Sequence, residues 1–220
     1  MDVQTLGASA RWRLVDSENP DSVASAFRRR RWTRLLDRFP DLGEMRVLDL
    51  GGTVHHWSTS PVMPAQLTVL NLMEQEADDP NVEVLIGDAC EMHPSLRDEH
   101  FDLVYSNSVL EHVGGHARRR QMADVISDGG EHHWVQTPNR GFPLEPHWLF
   151  PGFQFLPVSS RIWLTEHWPL GYIRGVGRAA VEQVLSTELV GRSEMTYLFP
   201  DSELLSERVA GLTKSIIAVR

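Results

Sequence analysis

The sequence predicts an α/β fold with a doubly wound, mostly parallel sheet that ends in an antiparallel pair. Short apolar runs alternate with helical segments along the chain, a pattern typical of parallel sheets covered by helices on both faces. The first of these runs ends at the glycine pair Gly51-Gly52. The last two runs are joined only by residues 210–212. That connection is too short for a parallel crossover, so these two strands are predicted to form an antiparallel hairpin.

Length and composition limit the class of protein. With 220 residues, 41% of them hydrophobic, residues 1–220 are predicted to form a single domain around one core. The formal net charge of −9 argues against a dedicated nucleic-acid binder. No apolar run reaches the ~20 residues of a membrane span, and the N-terminus lacks the apolar centre of a signal peptide. The one cysteine, Cys90, excludes an internal disulfide and favours the cytoplasm.

The elements follow in order. An amphipathic helix is predicted over 22–39, where apolar residues recur at helical spacing before Pro40. Five buried strands are predicted at 45–50, 66–72, 81–88, 101–108 and 132–138. A helix bracketed by glycine pairs lies between the fourth and fifth strands. After a helix that ends near Phe199, two strands at 203–209 and 213–219 complete the sheet.

Residues 138–175 are the exception to the alternating pattern. They hold six of the 13 prolines and three of the 7 tryptophans, Trp148, Trp163 and Trp168. Long ordered connections are often functional, so this Pro/Trp-rich insertion is predicted to be a lid over the acceptor site. Its tryptophans are expected to pack a core, with an aromatic acceptor pocket as the alternative. The predicted divisions are an N-terminal helical segment (1–44), a cofactor-binding core (45–137), the lid (138–175) and a C-terminal helix with a strand hairpin (176–220).

Two arginine clusters lie within predicted helices. They occupy residues 28–31 and 118–120. A charge run on a helix is most often a solvated face, and an anion or partner site is the alternative interpretation.

Polar residues stand at the ends of successive predicted strands. Asn71 ends the second strand, Asp88 the third, and Ser106-Asn107 the fourth. The carboxyl ends of parallel strands meet at one edge of the sheet, where open α/β sheets bind their ligands. The sequence therefore predicts one binding crevice that these residues share with the glycine turn.

These motifs resemble those of the class I S-adenosylmethionine-dependent methyltransferases of the broad small-molecule type, type 11-like. The similarity runs from about residue 45 to the C-terminus. It rests on "VLDLGGT" (47–53), "GDA" (87–89), "FDLVYSNSVLEHV" (101–113) and "LTKSIIAVR" (212–220). The resemblance implies a seven-stranded, Rossmann-like sheet, S-adenosylmethionine as cofactor, and methyl transfer to a small-molecule acceptor. It implies neither a nucleic acid nor a membrane as partner, and it leaves the oligomeric state open.

The same resemblance assigns the cofactor residues. Asp49 and the glycine turn would lie by the amino acid end of the cofactor, Asn71 by the ribose, and Asp88 by the adenine amino group. The full set implied is Asp49, Gly51, Gly52, Asn71, Leu72, Asp88, Ala89, Ser106 and Asn107. The chain departs from the family pattern at Thr53 and His55, where glycines are usual, and at Asn71, where an acid is usual. Glu74, one turn beyond Asn71, is an alternative ribose ligand.

A general base is needed only for some acceptors, and histidine is suited to that role near neutral pH. His112, four residues beyond Ser108, is the first candidate, and His147 and Glu145 on the insertion come next. His116 and His133 follow them.

Other interpretations remain open from sequence. The pair His55-His56 is expected to be structural, with a cofactor or substrate contact as the alternative. A metal site built from adjacent residues is disfavoured because their side chains diverge. A metal-dependent hydrolase lacks any ligand-spaced motif among the 10 histidines. The rival function is a non-catalytic protein of the same fold that acts as a binding or regulatory partner.

Overall fold

A computed structural model of the chain describes residues 22–220, and these form two compact units. The sheet unit comprises residues 41–142 and 185–220, and the insertion unit comprises residues 22–40 and 143–184. Of the predicted N-terminal segment, residues 1–21 lie outside the described residues.

The sheet unit contains the predicted seven-stranded sheet. The strands of the chain are β1 (Arg46–Leu50), β2 (Gln66–Asn71), β3 (Val82–Ile86), β4 (Phe101–Asn107), β5 (Gly130–Pro138), β6 (Leu144–Glu145), β7 (Phe150–Pro151), β8 (Glu203–Val209) and β9 (Leu212–Val219). The sheet order is β3-β2-β1-β4-β5-β9-β8. Strands β1 to β5 pair in parallel, whereas β9 is antiparallel to both β5 and β8. The predicted fold class, including the antiparallel finish, is confirmed. The strand order reverses between β1 and β4, which places a topological switch point there.

Six α-helices accompany these strands among the described residues. They are α1 (Val23–Arg38), α2 (Val54–Trp57), α3 (Gly115–Gly129), α4 (Val158–His167), α5 (Arg178–Ser186) and α6 (Arg192–Leu198). Helix α1 begins where the sequence predicted, because the Ser22 hydroxyl accepts a hydrogen bond from the Ser25 amide at 3.0 Å. Within residues 22–220, no helix has the length and apolar character required to cross a membrane.

The core of the sheet unit explains why the apolar runs form strands. In β1, the side chains of Val47, Leu48 and Leu50 are fully buried. Helix α3 covers one face of the sheet and adds Met122 and Ile126 to the same cluster. The near-continuous apolar character of β1 is thus that of a parallel strand buried on both faces.

The arginine cluster at 118–120 is only partly a solvated face. Arg119 is only 3% exposed, and its guanidinium donates to Glu188 at 3.1 Å and to Glu194 at 2.8 Å. Arg120 donates to the Tyr197 hydroxyl at 3.2 Å. The solvated-face interpretation was therefore wrong for Arg119, because its partners lie about 70 residues downstream and cannot be inferred from local charge.

The insertion unit has a small core of its own. A two-stranded antiparallel ladder of β6 and β7 precedes helix α4. Trp148 stacks on Phe153 with ring centroids 4.1 Å apart, and both pack with Leu164 and Val184. The Trp148 indole N–H donates to the Thr165 hydroxyl at 2.8 Å. Of the three tryptophans expected to pack, Trp148 is buried, whereas Trp163 is 58% exposed and stacks on a histidine ring.

The buried histidine of β5 generates a prediction about stability. His133 is 2% exposed, and its Nε2 lies 2.6 Å from the Ser202 hydroxyl. Burial, with the nearby charges of Arg220 and His132, lowers the pKa of His133 to about 4. Its folded pKa is below the unfolded value of ~6.5, so the unfolded chain takes up the proton first. The stabilising contribution is present above pH ~6.5 and is lost as the pH falls toward 4, by up to about 3 kcal/mol.

We therefore expect His133→Gln to flatten the loss of unfolding free energy between pH 7 and pH 4.5, as measured by urea titration. His100→Gln, at an exposed histidine that does not contribute to the His133 shift, is the matched control and should keep the wild-type slope. An unchanged slope in His133→Gln would contradict the assignment.

Candidate cofactor site

The carboxyl ends of the parallel strands lie side by side at one edge of the sheet. The ladder continues past the strands there: the Gly51 amide donates to the Leu70 carbonyl at 2.7 Å, and the Gly87 amide donates to the Asn71 carbonyl at 2.9 Å. These bonds place the glycine turn after β1, the end of β2 and the loop after β3 in one row.

A fully buried carboxyl group stands beneath the glycine turn. Asp49 is 0% exposed, and its Oδ2 accepts a hydrogen bond from the Trp57 indole N–H at 2.8 Å. Its Oδ1 has no hydrogen-bond partner among residues 22–220. Burial raises the pKa of Asp49 to about 7, although the bond from Trp57 opposes this shift. A carboxyl group with one unmatched oxygen inside the fold is costly unless a ligand or water satisfies it.

The two glycines of the turn make room for their neighbours. A Cβ on Gly52 would lie 1.8 Å from Asp49 Oδ2, and a Cβ on Gly51 would lie 2.4 Å from a methyl group of Val109. Gly51 also has a φ of +79°, which L side chains rarely adopt. Both positions therefore require glycine for the turn to close over Asp49.

Asn71 anchors the turn from the next strand. Its side-chain NH₂ donates to the Gly52 carbonyl at 2.7 Å, and its Oδ1 accepts from the Met73 amide at 3.0 Å. Gln75 supports the same turn, since it donates to the Gly52 carbonyl at 3.2 Å and accepts from the Val54 amide at 2.9 Å. An acid at position 71 could not donate, so the amide explains the departure from the family pattern. Leu72, beside Asn71, is 73% exposed.

The residues that replace the usual glycines begin a short helix. The Thr53 hydroxyl caps α2 by accepting from the His56 amide at 3.1 Å. His56 Nε2 lies 2.9 Å from the Tyr105 hydroxyl, and the two rings stack. His55 is exposed. The two histidines point apart, as expected for neighbours, and His56 has the structural contact that the sequence favoured.

Asp88, after β3, is held from two sides. The Cys90 amide donates to its Oδ1 at 2.9 Å, and the Arg118 guanidinium donates to its Oδ2. Partial burial opposes ionisation, but these two donors outweigh it and lower the pKa of Asp88. Ala89 beside it is buried. Asp88 is therefore an ionised acceptor, whereas Asp49 is close to half-protonated at neutral pH.

The end of β4 is hydrogen-bonded to both neighbouring strands, β1 and β5. Ser106 is fully buried, and its hydroxyl donates to the Leu50 carbonyl at 3.0 Å, so this side chain ties β4 to β1. Asn107, the last residue of β4, lies beside the turn at Ser108, whose φ is +58°. The Ser108 amide donates to the Gln136 carbonyl at 2.9 Å, which carries the row of strand ends on to β5.

The catalytic candidates occur in both units. His112, in the sheet unit, is exposed, and its Nδ1 lies 3.4 Å from the Thr187 hydroxyl. Glu145 and His147, in the insertion unit, form a pair: Nδ1 of His147 lies 2.7 Å from Glu145 Oε1. Glu145 is 1% exposed, and its Oε2 accepts from the amides of His147 and Trp148 at 2.8 Å each. The two lower-ranked histidines are tied to the protein, His116 to Glu194 at 2.9 Å and His133 to Ser202.

Three residues at this edge escaped the sequence analysis: Trp57, Gln75 and Arg118. Each acts through a contact with a residue 8 to 30 positions away. Trp57 carried a usable signal, because a tryptophan five residues after the turn on a short helix can reach back to the acid of β1. Gln75 and Arg118 carried no signal in the sequence, because their contacts depend on how the loops and α3 pack in the folded protein.

A family model described as a methyltransferase domain matches residues 46–132, which include β1 to β4, α3 and the first residues of β5. Two curated relatives, the uncharacterized proteins MT1557 and Rv1509 of two Mycobacterium tuberculosis strains, are each 28% identical over 74 residues, 33% of this chain. The alignment spans 25% of the length of these relatives.

Solved structures share the fold over nearly the whole chain. The N-methyltransferase NodS from Bradyrhizobium japonicum WM9, in complex with S-adenosyl-L-homocysteine, is 14% identical, with 99% of this chain and 97% of that chain covered and a TM-score of 0.53. The magnesium protoporphyrin IX methyltransferase ChlM from Synechocystis PCC 6803, with bound S-adenosylmethionine, is 10% identical, with 100% and 98% covered and a TM-score of 0.53. At these identities the likeness shows the fold alone, and the methyltransferase-domain match covers less than half of the chain. The chain is therefore similar to methyltransferases in two respects: a methyltransferase-domain model matches the part that contains β1 to β4, and the fold is shared over nearly the whole chain.

Proposed function

We propose that the chain transfers the methyl group of S-adenosylmethionine to a small-molecule acceptor by in-line displacement. The observation that carries this proposal is the row of strand ends, where a glycine turn closes over one carboxyl group and a second carboxyl group follows β3. Asp49 is buried and close to half-protonated, and Asp88 is ionised. The cofactor supplies a methyl group on a positively charged sulfur, which is a good leaving group, so that positioning supplies much of the rate.

The residues present fit this cofactor. The unmatched Oδ1 of Asp49 is suited to the amino acid end, whose ammonium group donates hydrogen bonds. Asp88 is suited to the adenine amino group, with Ala89 beside it. Leu72 and Ile86, 73% and 58% exposed at the ends of β2 and β3, offer apolar surface for the purine. The NH₂ group of Asn71 donates to the Gly52 carbonyl and its Oδ1 accepts from the Met73 amide, so we assign Asn71 to shaping the turn from the ribose side. The turn, Ser106 and Asn107 complete the proposed site.

Several observations favour a small acceptor over a macromolecule. The net charge of −9 disfavours nucleic acid. ChlM is by its name a methyltransferase of magnesium protoporphyrin IX, a small molecule. We further propose that residues 1–220 act as one domain in the cytoplasm, as the single free Cys90 suggests. The assignment of residues 138–175 to the acceptor side also remains a proposal.

We assign proton removal from the acceptor to His147, oriented by Glu145. The Glu145 carboxylate accepts two backbone hydrogen bonds on Oε2 and lies against His147 Nδ1 with Oε1. Because a carboxylate accepts, Nδ1 donates, and the basic lone pair of the neutral imidazole is then on Nε2. This carboxylate-histidine arrangement is typical of a general base. His112, whose Nδ1 lies 3.4 Å from the Thr187 hydroxyl, is the second candidate.

The direct test of the function is methyl transfer from S-adenosylmethionine that carries an isotopically labelled methyl group. A panel of small phenols, alcohols, carboxylic acids and amines serves as acceptors, and labelled product is detected by mass spectrometry. We expect at least one small acceptor to be labelled. Binding of the cofactor without labelling of any acceptor would favour a non-catalytic role.

The glycine turn generates a first prediction. Gly52→Ala brings a Cβ into the Asp49 carboxyl group, so we expect a loss of about 1–3 kcal/mol in the free energy of unfolding. S-adenosyl-L-homocysteine should also bind more weakly, as measured by calorimetry. Gly191→Ala is the matched control, since a Cβ there meets nothing within 4 Å. Equal behaviour of the two variants would contradict the proposed packing.

Asp49 generates a second prediction. Its pKa of about 7 means that a cationic ammonium beside it should favour the ionised form and release a proton. At pH 7 we expect release of roughly half a proton when S-adenosyl-L-homocysteine binds, with an affinity that rises as the pH increases through 7. Calorimetry in buffers of different ionisation enthalpy measures this release. Asp49→Asn should abolish it; release that persists in this variant would place the proton elsewhere.

The histidines generate a third prediction, tested on the first acceptor that the screen identifies. His147→Gln should lower kcat by about 10²- to 10⁴-fold and leave the affinity for S-adenosyl-L-homocysteine unchanged. Glu145→Gln should lower kcat less and shift its pH profile, because the tautomer is no longer fixed. His112→Gln is the comparison variant. If it alone loses turnover, His112 is the base and the assignment to His147 is wrong.

A further inference from the structure

The ion pair between Asp88 and Arg118 joins the loop after β3 to the first turn of α3. Arg118 donates through Nη2 to Asp88 Oδ2 and through Nε to the Val113 carbonyl at 3.4 Å. The other carboxylate oxygen accepts from the Cys90 amide. The carboxylate is thus fixed by one donor on each oxygen, and the planar guanidinium is itself fixed at two points.

Folding stability does not account for this contact. The side chains of Arg118 and Asp88 are 37% and 33% exposed, and exposed ion pairs contribute little to stability. The next two arginines of the cluster behave differently, since Arg119 and Arg120 bind Glu188, Glu194 and Tyr197. Those two connect α3 with residues 188–197, and Arg118 is the member of the triplet that reaches the edge formed by the strand ends.

The contact has a chemical consequence for Asp88. A carboxylate has about four lone-pair sites, so the two observed donors leave capacity for a third. The Cys90 amide and the guanidinium also keep Asp88 ionised, because they outweigh the effect of partial burial and lower its pKa. A fixed, ionised carboxylate accepts hydrogen bonds and does not donate them.

We propose that Arg118 is a positioning residue that fixes the Asp88 carboxylate as an acceptor for the 6-amino group of the cofactor's purine, and so makes binding selective for that group. The inference rests on the proposed assignment of Asp88 to adenine. A ligand with the amine gains a charge-assisted hydrogen bond whose geometry is set before binding. A ligand without the amine gains nothing from the fixed carboxylate.

The test compares two ligands by calorimetry. One is S-adenosyl-L-homocysteine, and the other is the analogue with hydrogen in place of the 6-amino group. The wild type should prefer the amino ligand by about 10- to 100-fold, the range for a hydrogen bond to a charged partner. Arg118→Met should lose most of this preference by weakening only the amino ligand. Arg118→Lys should restore part of it, because lysine keeps the charge but lacks the planar fork.

The controls separate this inference from the assignment on which it rests. Asp88→Ala should bind both ligands equally, and a retained preference would overturn the assignment of Asp88 to adenine. If Asp88→Ala loses the preference but Arg118→Met keeps it, the positioning role fails alone. Equal weakening of both ligands in Arg118→Met would indicate a merely structural role, and tighter binding would indicate that Arg118 competes with the ligand. Either result overturns the inference. Arg120→Met, from the same helix, should behave as the wild type.

Discussion

The packing of the Asp49 carboxyl group under Gly52 is the constraint on which the edge of the sheet depends. A buried carboxyl group at the end of β1 leaves no space for a Cβ at position 52, so the turn requires glycine at that position. The indole N–H of Trp57 satisfies one carboxyl oxygen, which requires that a helix follow the turn at once. Thr53 caps that helix, and Asn71 and Gln75 hold the Gly52 carbonyl from the other side. Thr53 and His55, which stand where glycines are usual, therefore belong to the short helix that brings Trp57 to Asp49.

The two carboxyl groups of this edge are kept in different states by different surroundings. Full burial raises the pKa of Asp49 to about 7 against the opposing effect of its one donor, whereas the two donors of Asp88 outweigh its partial burial and lower its pKa. An enzyme that binds a ligand with an ammonium group at one end and an aromatic amine at the other has use for both. In the proposed function, the first group adjusts its charge to a cation, and the second is a constant acceptor. The proposed site would thus give each end of the cofactor a carboxyl group suited to it.

The fold could be predicted because its signals are local. Apolar runs that end in glycines, a very short connection before β9 and the order of strands and helices all lie within short stretches of sequence. The convergence of Asn71 and Asp88 on one edge followed from the rule for parallel strands. The sequence could not show that the Asn71 amide would face the turn or that Arg118 would reach Asp88, since 30 positions separate that pair. It also suggested a long connection at 138–175, where the structure has a hairpin, a helix and a small core around Trp148.

The histidines show the same limit of prediction from sequence, because their contacts depend on the tertiary structure. His147 and Glu145 were each candidates by residue type and position, but only the tertiary structure places Nδ1 of one against Oε1 of the other. His133 was a lower-ranked candidate, and burial against Ser202 makes it a neutral structural residue.

The most direct measurement for the whole account is a crystal structure of the protein grown with S-adenosyl-L-homocysteine. The account predicts density at the ends of β1 to β4, with the amino acid end by Asp49 and the adenine amine on Asp88. Ligand density elsewhere, or with the adenine away from Asp88, would contradict it.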